Sequence, residues 1–200
     1  MDSTVCIVGM GYVGLPLAVE FDREGFDVIG YDIDPDVISQ LSSGTDPTSE
    51  LGDEAISNNS IEFTTDERTI NRAEYVLVAV PTPVDDLKNP NLKYVESAAK
   101  TIGENIQPGA IVVLESTVYP GATREILANT IENVSGLRAG EDFYVGYSPE
   151  RMVPGDSEHG IRDVVKIVSG QNDVVRAEWA ELYGTIVDAG VHKSPEIEVA

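Results

Sequence analysis

In 200 residues there is room for one large α/β domain with a real core, and a hydrophobic content of 42% is ordinary for a folded chain. Lys and Arg number 13 against 35 Asp and Glu, a net charge of −22, which excludes nucleic acid and anionic membrane surfaces as partners. No apolar run approaches the roughly 20 residues of a membrane span, and a lone cysteine excludes an internal disulfide, as suits a reducing cytoplasm.

Along the chain, strand-like runs alternate with helix-like runs. This pattern predicts a Rossmann-like, doubly wound α/β fold, a mainly parallel sheet with helices on both faces. Met1-Asp2-Ser3-Thr4 carries no basic residue, so no secretory signal is expected. Val5-Cys6-Ile7-Val8 is the first buried strand. A helix runs from about Tyr12 to Glu24, with Pro16 in its first turns and Gly25 ending it. Val28-Ile29-Gly30-Tyr31 is the second strand and Pro35 to Leu41 the next helix. Ser42 to Asn59 is polar, a loop with a short helix. Ile61 to Thr64 is a third strand, followed by a helical turn to Ala73, and Tyr75 to Val80 is a strong fourth strand. Pro81 to Asn91 is a loop, Tyr94 to Asn105 a helix, Ile111 to Leu114 the fifth strand, and Thr123 to Asn133 a helix. Phe143 to Tyr147 is the sixth strand and Ser148 to Arg162 a long loop. Val164 to Val168 is a strand, Asp173 to Tyr183 a helix, and Gly190 to His192 a last short strand. Ile197 to Ala200 reads as the first turn of a further helix. Residues 1–200 are therefore expected to be the N-terminal domain of a longer protein.

The acidic residues are spread along the chain (Asp32, Asp34, Asp36, Asp53, Glu54, Asp85, Asp86, Glu141 and Asp142 are examples), with no acidic tail, and there are five lysines against eight arginines. A diffuse distribution predicts a halophilic, salt-screened acidic surface rather than a patch for one cationic partner.

Gly9-Met10-Gly11-Tyr12-Val13-Gly14 fits G-x-G-x-x-G directly after an apolar strand and opens a helix. Gly9 allows a tight turn, Gly11 lets backbone approach a pyrophosphate, and Gly14 lets helix and strand pack closely. The helix N-terminus offers N–H groups and partial positive charge to phosphates. Asp32 lies eighteen residues after Gly14 at the end of the second strand, where a carboxylate bonds ribose hydroxyls and repels a 2′-phosphate. With Asp34 and Asp36 close by and no Lys or Arg, the expected cofactor is NAD rather than NADP, with Asp34 or Asp36 capping the following helix.

These motifs, together with Gly9–Ala18 (GMGYVGLPLA), Val80–Pro83 (VPTP), Glu115–Gly121 (ESTVYPG) and Phe143–Gly155 (FYVGYSPERMVPG), resemble the UDP-glucose/GDP-mannose dehydrogenase family along the whole chain. The similarity is greatest to the branch oxidising UDP-N-acetylhexosamines. UDP-glucose or GDP-mannose as substrate, or a non-enzymatic NAD-binding module, are the alternatives. A β-hydroxyacid dehydrogenase would lack the ESTVYPG and YSPER stretches, and a short-chain reductase would need a Tyr-x-x-x-Lys pair that Tyr94 and Lys100 do not form. The resemblance implies oxidation of the sugar C6 alcohol to a carboxylate with two NAD reduced, by way of an aldehyde and a thioester on a cysteine. That cysteine, with a Lys and an Asn of the central helix, is expected beyond Ala200, and dimerisation is expected through the same helix.

By the same resemblance, Glu150 would act as general base for thioester hydrolysis, and Thr117 would hold a water or the C6 oxygen. Ser116, Thr117 and Val118 would flank the nicotinamide, and Val80, Pro81, Thr82 and Pro83 would approach the cofactor ribose. Glu150, Arg151, Met152, Val153 and Pro154 would line the nucleotide-sugar site. One departure lies around Val37, a few residues after the ribose acid, where many family members carry Arg or Lys near the cofactor phosphate. Cys6, in the first strand, reads as core, as do Trp179 and Tyr183, four residues apart on one helix. His159 and His192 have no partners at metal-ligand spacing.

Overall fold

A computed structural model describes residues 3–84, 90–151 and 160–200. Eight strands form one sheet in the order β3-β2-β1-β4-β5-β6-β7-β8. These are β1 (Thr4–Val8), β2 (Asp27–Tyr31), β3 (Glu62–Thr64), β4 (Tyr75–Val78), β5 (Ile111–Leu114), β6 (Tyr144–Tyr147), β7 (Lys166–Gly170) and β8 (Val191–Lys193). The first six run parallel; β7 is antiparallel to β6, and β8 parallel to β7. Six α-helices lie between them: α1 (Gly14–Arg23), α2 (Pro35–Ser42), α3 (Asp53–Ser57), α4 (Lys93–Asn105), α5 (Asn129–Ser135) and α6 (Asp173–Gly184). Among the described residues no helix is long and apolar enough to cross a membrane.

The central strands read as unbroken apolar runs because both sheet faces are covered. Alternate residues feed two separate cores. Val5, Ile7, Leu77, Ile111 and Val113 join Leu15, Leu17 and Phe21 of α1 and Trp179 and Tyr183 of α6 on one side. Cys6, Val8, Val76, Val78, Val112 and Leu114 join Val95, Ala99 and Ile102 of α4 and Ile131 of α5 on the other. Trp179 and Tyr183 stack edge to face, 4.4 Å between ring centroids. Arg162 ties the sheet's far side to α1 through Glu20 (2.5 Å) and Glu24 (2.6 Å).

Most bounds agree to within two residues, the fourth strand ending at Val78 rather than Val80 and α1 starting at Gly14 rather than Tyr12; two elements differ more, one in helix type and one by a shift of the whole strand. The helix expected over Thr123–Asn133 opens with π-helical turns over Thr123–Ala128 and continues as α5 to Ser135, where Gly136 at φ +74° ends it. The strand expected at Val164–Val168 lies two residues later, at Lys166–Gly170. Its reach is set by pairing with the end of β6, with Gly146 opposite Gly170 and Tyr147 opposite Ser169.

The polar stretch between α2 and α3 is organised by Asp46, which is buried. Its carboxylate accepts from the Thr48 N–H and hydroxyl and from the Leu51 and Gly52 amides, all within 2.9 Å. Burial pulls its pKa upward, but the Thr48 hydroxyl and then the three amides outweigh this and hold it below the usual 3.8. The stabilisation is therefore present above the unfolded value and is lost as pH falls through the lower folded one. Asp46→Ala is expected to lower stability at pH 7 by about 1–3 kcal/mol and to shrink that difference below about pH 4. Equal urea midpoints for the two chains at pH 7 would contradict this role.

Candidate functional site

A cleft of about 400 Å³ opens at the carboxyl ends of β1, β2 and β4. That is where open α/β sheets bind ligands, at the point where strand order reverses. Its floor is the turn from β1 into α1. Gly9 sits at φ +101°, and a Cβ there would stand 2.8 Å from the Ala79 carbonyl oxygen. A Cβ on Gly14 would fall 1.8 Å from the Gly9 carbonyl oxygen, so helix and turn touch only because Gly14 has none. Gly11 has nothing within 4 Å of its Cβ position and lines the cleft. Gly9 and Gly14 are thus required by the turn and by the packing of α1 on it, and Gly11 leaves the cleft wall bare.

Met10 contributes backbone to the cleft while its side chain is core. Val13 packs on the core, and Tyr12 is exposed. Helix α1 begins at Gly14 with no side-chain cap and no acidic residue in its first turn. By contrast, Asp34 caps α2 and Asn172 caps α6. In the first turn of α1 the Leu15 N–H donates to the Gly11 carbonyl at 3.1 Å and Pro16 carries no N–H, so the amides open to an anion are those of the preceding turn, Gly11 to Gly14.

Asp32 braces the turn. Its Oδ2 accepts the Met10 N–H at 2.7 Å and its Oδ1 the Asp34 N–H at 2.9 Å. An ionised carboxylate has about four lone-pair sites, so both ribose hydroxyls have acceptors left. Asp34 lines the same wall, and no Lys or Arg does among the described residues. Val37 is part of this wall. Val80 and Pro81 close one side, and Tyr94, Ser97, Ala98 and Thr101 of α4 the other. The residues present fit a dinucleotide with an unphosphorylated adenosine ribose.

The next strand ends carry the other expected residues. The Ser116 hydroxyl donates to the Val80 carbonyl at 2.6 Å, and the Thr82 hydroxyl to the Thr117 carbonyl at 2.8 Å. The loops after β4 and β5 are thereby sewn together. Thr117, Pro81 and Pro83 are exposed, and Val118 is half-buried. Glu150 follows β6, the strand beside β5; its Oε1 accepts the Arg151 N–H at 2.7 Å. The Arg151 guanidinium is exposed and reaches the Val165 carbonyl at 3.4 Å. Met152, Val153, Pro154 and His159 lie outside the described residues.

Cys6 is wholly buried, and burial pushes its thiol up to about 12. It is inert as a nucleophile.

Reading the sequence missed a buried polar cluster beside Glu150. Glu115 is fully buried; its Oε2 pairs with Lys166 Nζ at 2.8 Å and its Oε1 accepts the Tyr183 hydroxyl at 2.5 Å. Lys166 Nζ also lies 3.6 Å from Glu150 Oε2 and 5.1 Å from the centre of the Tyr183 ring. Burial opposes the Lys166 charge, but Glu115 and Glu150 more than offset it and hold its pKa above the usual lysine range. The signal was present: Glu115 ends the apolar run IVVLE, and Lys166 interrupts VVKIV. A charge inside a buried strand needs a partner.

The sequence profile of the UDP-glucose/GDP-mannose dehydrogenase family, NAD binding domain, matches residues 3–187. The chain belongs to this family. It is 44% identical to protein CapL of Staphylococcus aureus over 200 residues, all of this chain and 47% of that protein. It is 42% identical to a UDP-N-acetyl-D-glucosamine 6-dehydrogenase of Pseudomonas aeruginosa, again over all of this chain and 47% of the relative. The solved structure of a UDP-D-ManNAc dehydrogenase from Pyrococcus horikoshii superposes with a TM-score of 0.90 at 31% identity, covering 98% of this chain and 48% of that one. The chain spans about half the length of the curated relatives it matches. The chain is the NAD-binding domain of this family, and its cofactor is NAD.

Proposed function

We propose that this domain serves a UDP-N-acetylhexosamine 6-dehydrogenase, oxidising the C6 alcohol of the sugar to a uronate in two NAD-dependent steps. The similarity to the P. aeruginosa relative along the entire chain supports this substrate class most strongly. NAD, when bound, accepts the hydride in each oxidation. The chain's own residues do the rest. Asp32 holds the ribose, and the uncapped start of α1 faces the diphosphate. Thr117 is the hydroxyl that positions water or the C6 oxygen. Glu150 takes a proton from the attacking water. Arg151 is the described residue of the segment assigned to the nucleotide sugar, whose Met152, Val153 and Pro154 lie outside the described residues. Cys6, buried, cannot form the thioester, so a nucleophilic cysteine must come from outside these 200 residues. The reading extends to a homodimer and to a cytoplasm salty enough to screen a net charge of −22.

Calorimetric titration with NAD and NADP, in molar KCl and in dilute buffer, tests the cofactor side. NAD is expected to bind at least about 100-fold more tightly than NADP, since a 2′-phosphate would meet Asp32 and Asp34 at a cost of several kcal/mol. Asp32→Ala is expected to weaken NAD by about 10- to 100-fold. Molar KCl is expected to raise the melting temperature, because screening relieves self-repulsion. Equal affinity for the two cofactors would remove Asp32 from this role. NADH formation with UDP-N-acetylglucosamine, UDP-N-acetylmannosamine, UDP-glucose and GDP-mannose then decides the sugar. A preference for either of the last two would overturn the proposed substrate class.

A further inference from the structure

Strand β7 turns back along β6, and the register that pairs Gly146 with Gly170 and Tyr147 with Ser169 brings Lys166 level with Glu150. The Ser148 hydroxyl extends this contact by donating to the Ile167 carbonyl at 2.8 Å. Lys166 is nearly buried, its side chain 7% exposed, and Glu115 is 0% exposed. The ammonium is held from behind. Glu115, at the end of β5, takes one of its hydrogens, and Tyr183 of α6 fixes the other Glu115 oxygen. On its free side Lys166 faces Glu150 Oε2, while the Arg151 N–H occupies Glu150 Oε1. A structural ion pair would need only Glu115. The second carboxylate on the same ammonium is the one at the sheet's functional edge.

We propose that Lys166 is a positioning residue: anchored by Glu115 and Tyr183, its ammonium fixes the Glu150 carboxylate in the orientation from which it takes a proton from water. This rests on the dehydrogenase reading above. In the step concerned, a water oxygen bonds to the thioester carbonyl carbon, the carbon–sulfur bond breaks, and the thiolate leaves with its electron pair. The water's proton passes to Glu150. Lys166 neither gives nor takes a proton; it holds the acceptor still. A base displaced by about 1 Å loses on the order of 100-fold in rate.

The test compares wild type, Lys166→Arg, and the double variant Glu115→Gln/Lys166→Met, which removes both buried charges together and so spares the core an unpaired one. In the 200-residue chain, NMR side-chain couplings of Glu150 are expected to report one fixed rotamer in wild type and Lys166→Arg, and averaged rotamers in the double variant. A fixed Glu150 rotamer in the double variant would overturn the proposal by itself. In the full-length dehydrogenase the double variant is expected to keep NAD affinity and the first burst of NADH. It is expected to lose about 100-fold in steady-state turnover, with a covalent enzyme–sugar adduct accumulating in intact mass spectra. Lys166→Arg should restore most of the rate. Wild-type turnover and no adduct in the double variant would also overturn the proposal. A wild-type enzyme that forms no NADH with any nucleotide sugar would sink the dehydrogenase reading instead, and the rotamer measurement would still decide what Lys166 does.

Discussion

Gly14→Ala is expected to lower stability by more than about 4 kcal/mol, beyond the ordinary range for a point substitution. The added methyl would sit 1.8 Å from the Gly9 carbonyl oxygen and 3.2 Å from Ile7 Cγ2. The first contact is backbone on backbone, so no rotamer change relieves it; α1 must move off β1, and the core of Leu15, Leu17 and Phe21 opens. For a domain of this size that predicts a melting temperature lower by roughly 10 °C or more. Gly11→Ala is the matched control. Nothing lies within 4 Å of its added methyl, so the melting temperature should stay near wild type. NAD affinity should nevertheless fall at least about 100-fold, because the methyl stands where backbone must approach the pyrophosphate. Thermal melts and NAD titrations of the two variants separate packing from binding. A Gly14→Ala chain that melts with wild type would show that the turn does not depend on this contact.

The buried pair of Glu115 and Lys166 should give the next largest effect. Lys166→Met leaves a carboxylate with no cation in a fully buried site, and breaking such a pair from one side costs about 3–5 kcal/mol. Glu115→Gln/Lys166→Met should recover most of that loss, since two buried charges disappear together. The pH dependence has a definite sign. The Lys166 pKa is raised in the fold, so its contribution is fully present below the unfolded lysine value and is lost as pH rises through the higher folded one. Tyr183 is raised in the same direction, by burial first and by Glu115 next. Wild type should therefore lose stability above about pH 10, and the double variant should lose less there. Urea midpoints at neutral and alkaline pH measure both effects. A Lys166→Met chain as stable as wild type at neutral pH would show the pair to be unimportant to the fold.

The parallel half of the sheet was legible because buried strands and their helices obey strong periodicity, and because Gly9, Gly14 and Asp32 do chemistry that depends on local geometry. The glycine turn and Asp32 lie within a few positions of the ends of β1 and β2. The cluster around Lys166 was not legible for the opposite reason. Glu115, Lys166 and Tyr183 are separated by 51 and 68 residues in their contacts. They meet only because β7 reverses direction against β6, and nothing in a short apolar run such as Lys166–Gly170 announces its direction. Trp179 and Tyr183 read as core from their spacing, and both are core. The Tyr183 hydroxyl's bond to Glu115 was hidden for the same long-range reason.

The Asp32 carboxylate holds two backbone amides beside the role proposed for it on the ribose, and this bears on how cofactor choice can change. Redesigning the site for NADP would begin by removing the negative charge at Asp32. That substitution also strips the acceptors from the Met10 and Asp34 amides, which shape the glycine turn and the start of α2. The diphosphate cradle would loosen for either cofactor before any affinity for a 2′-phosphate was gained. On the proposed reading, a switch of cofactor would require a replacement acceptor for those amides together with a new cation, near Val37, in the same step.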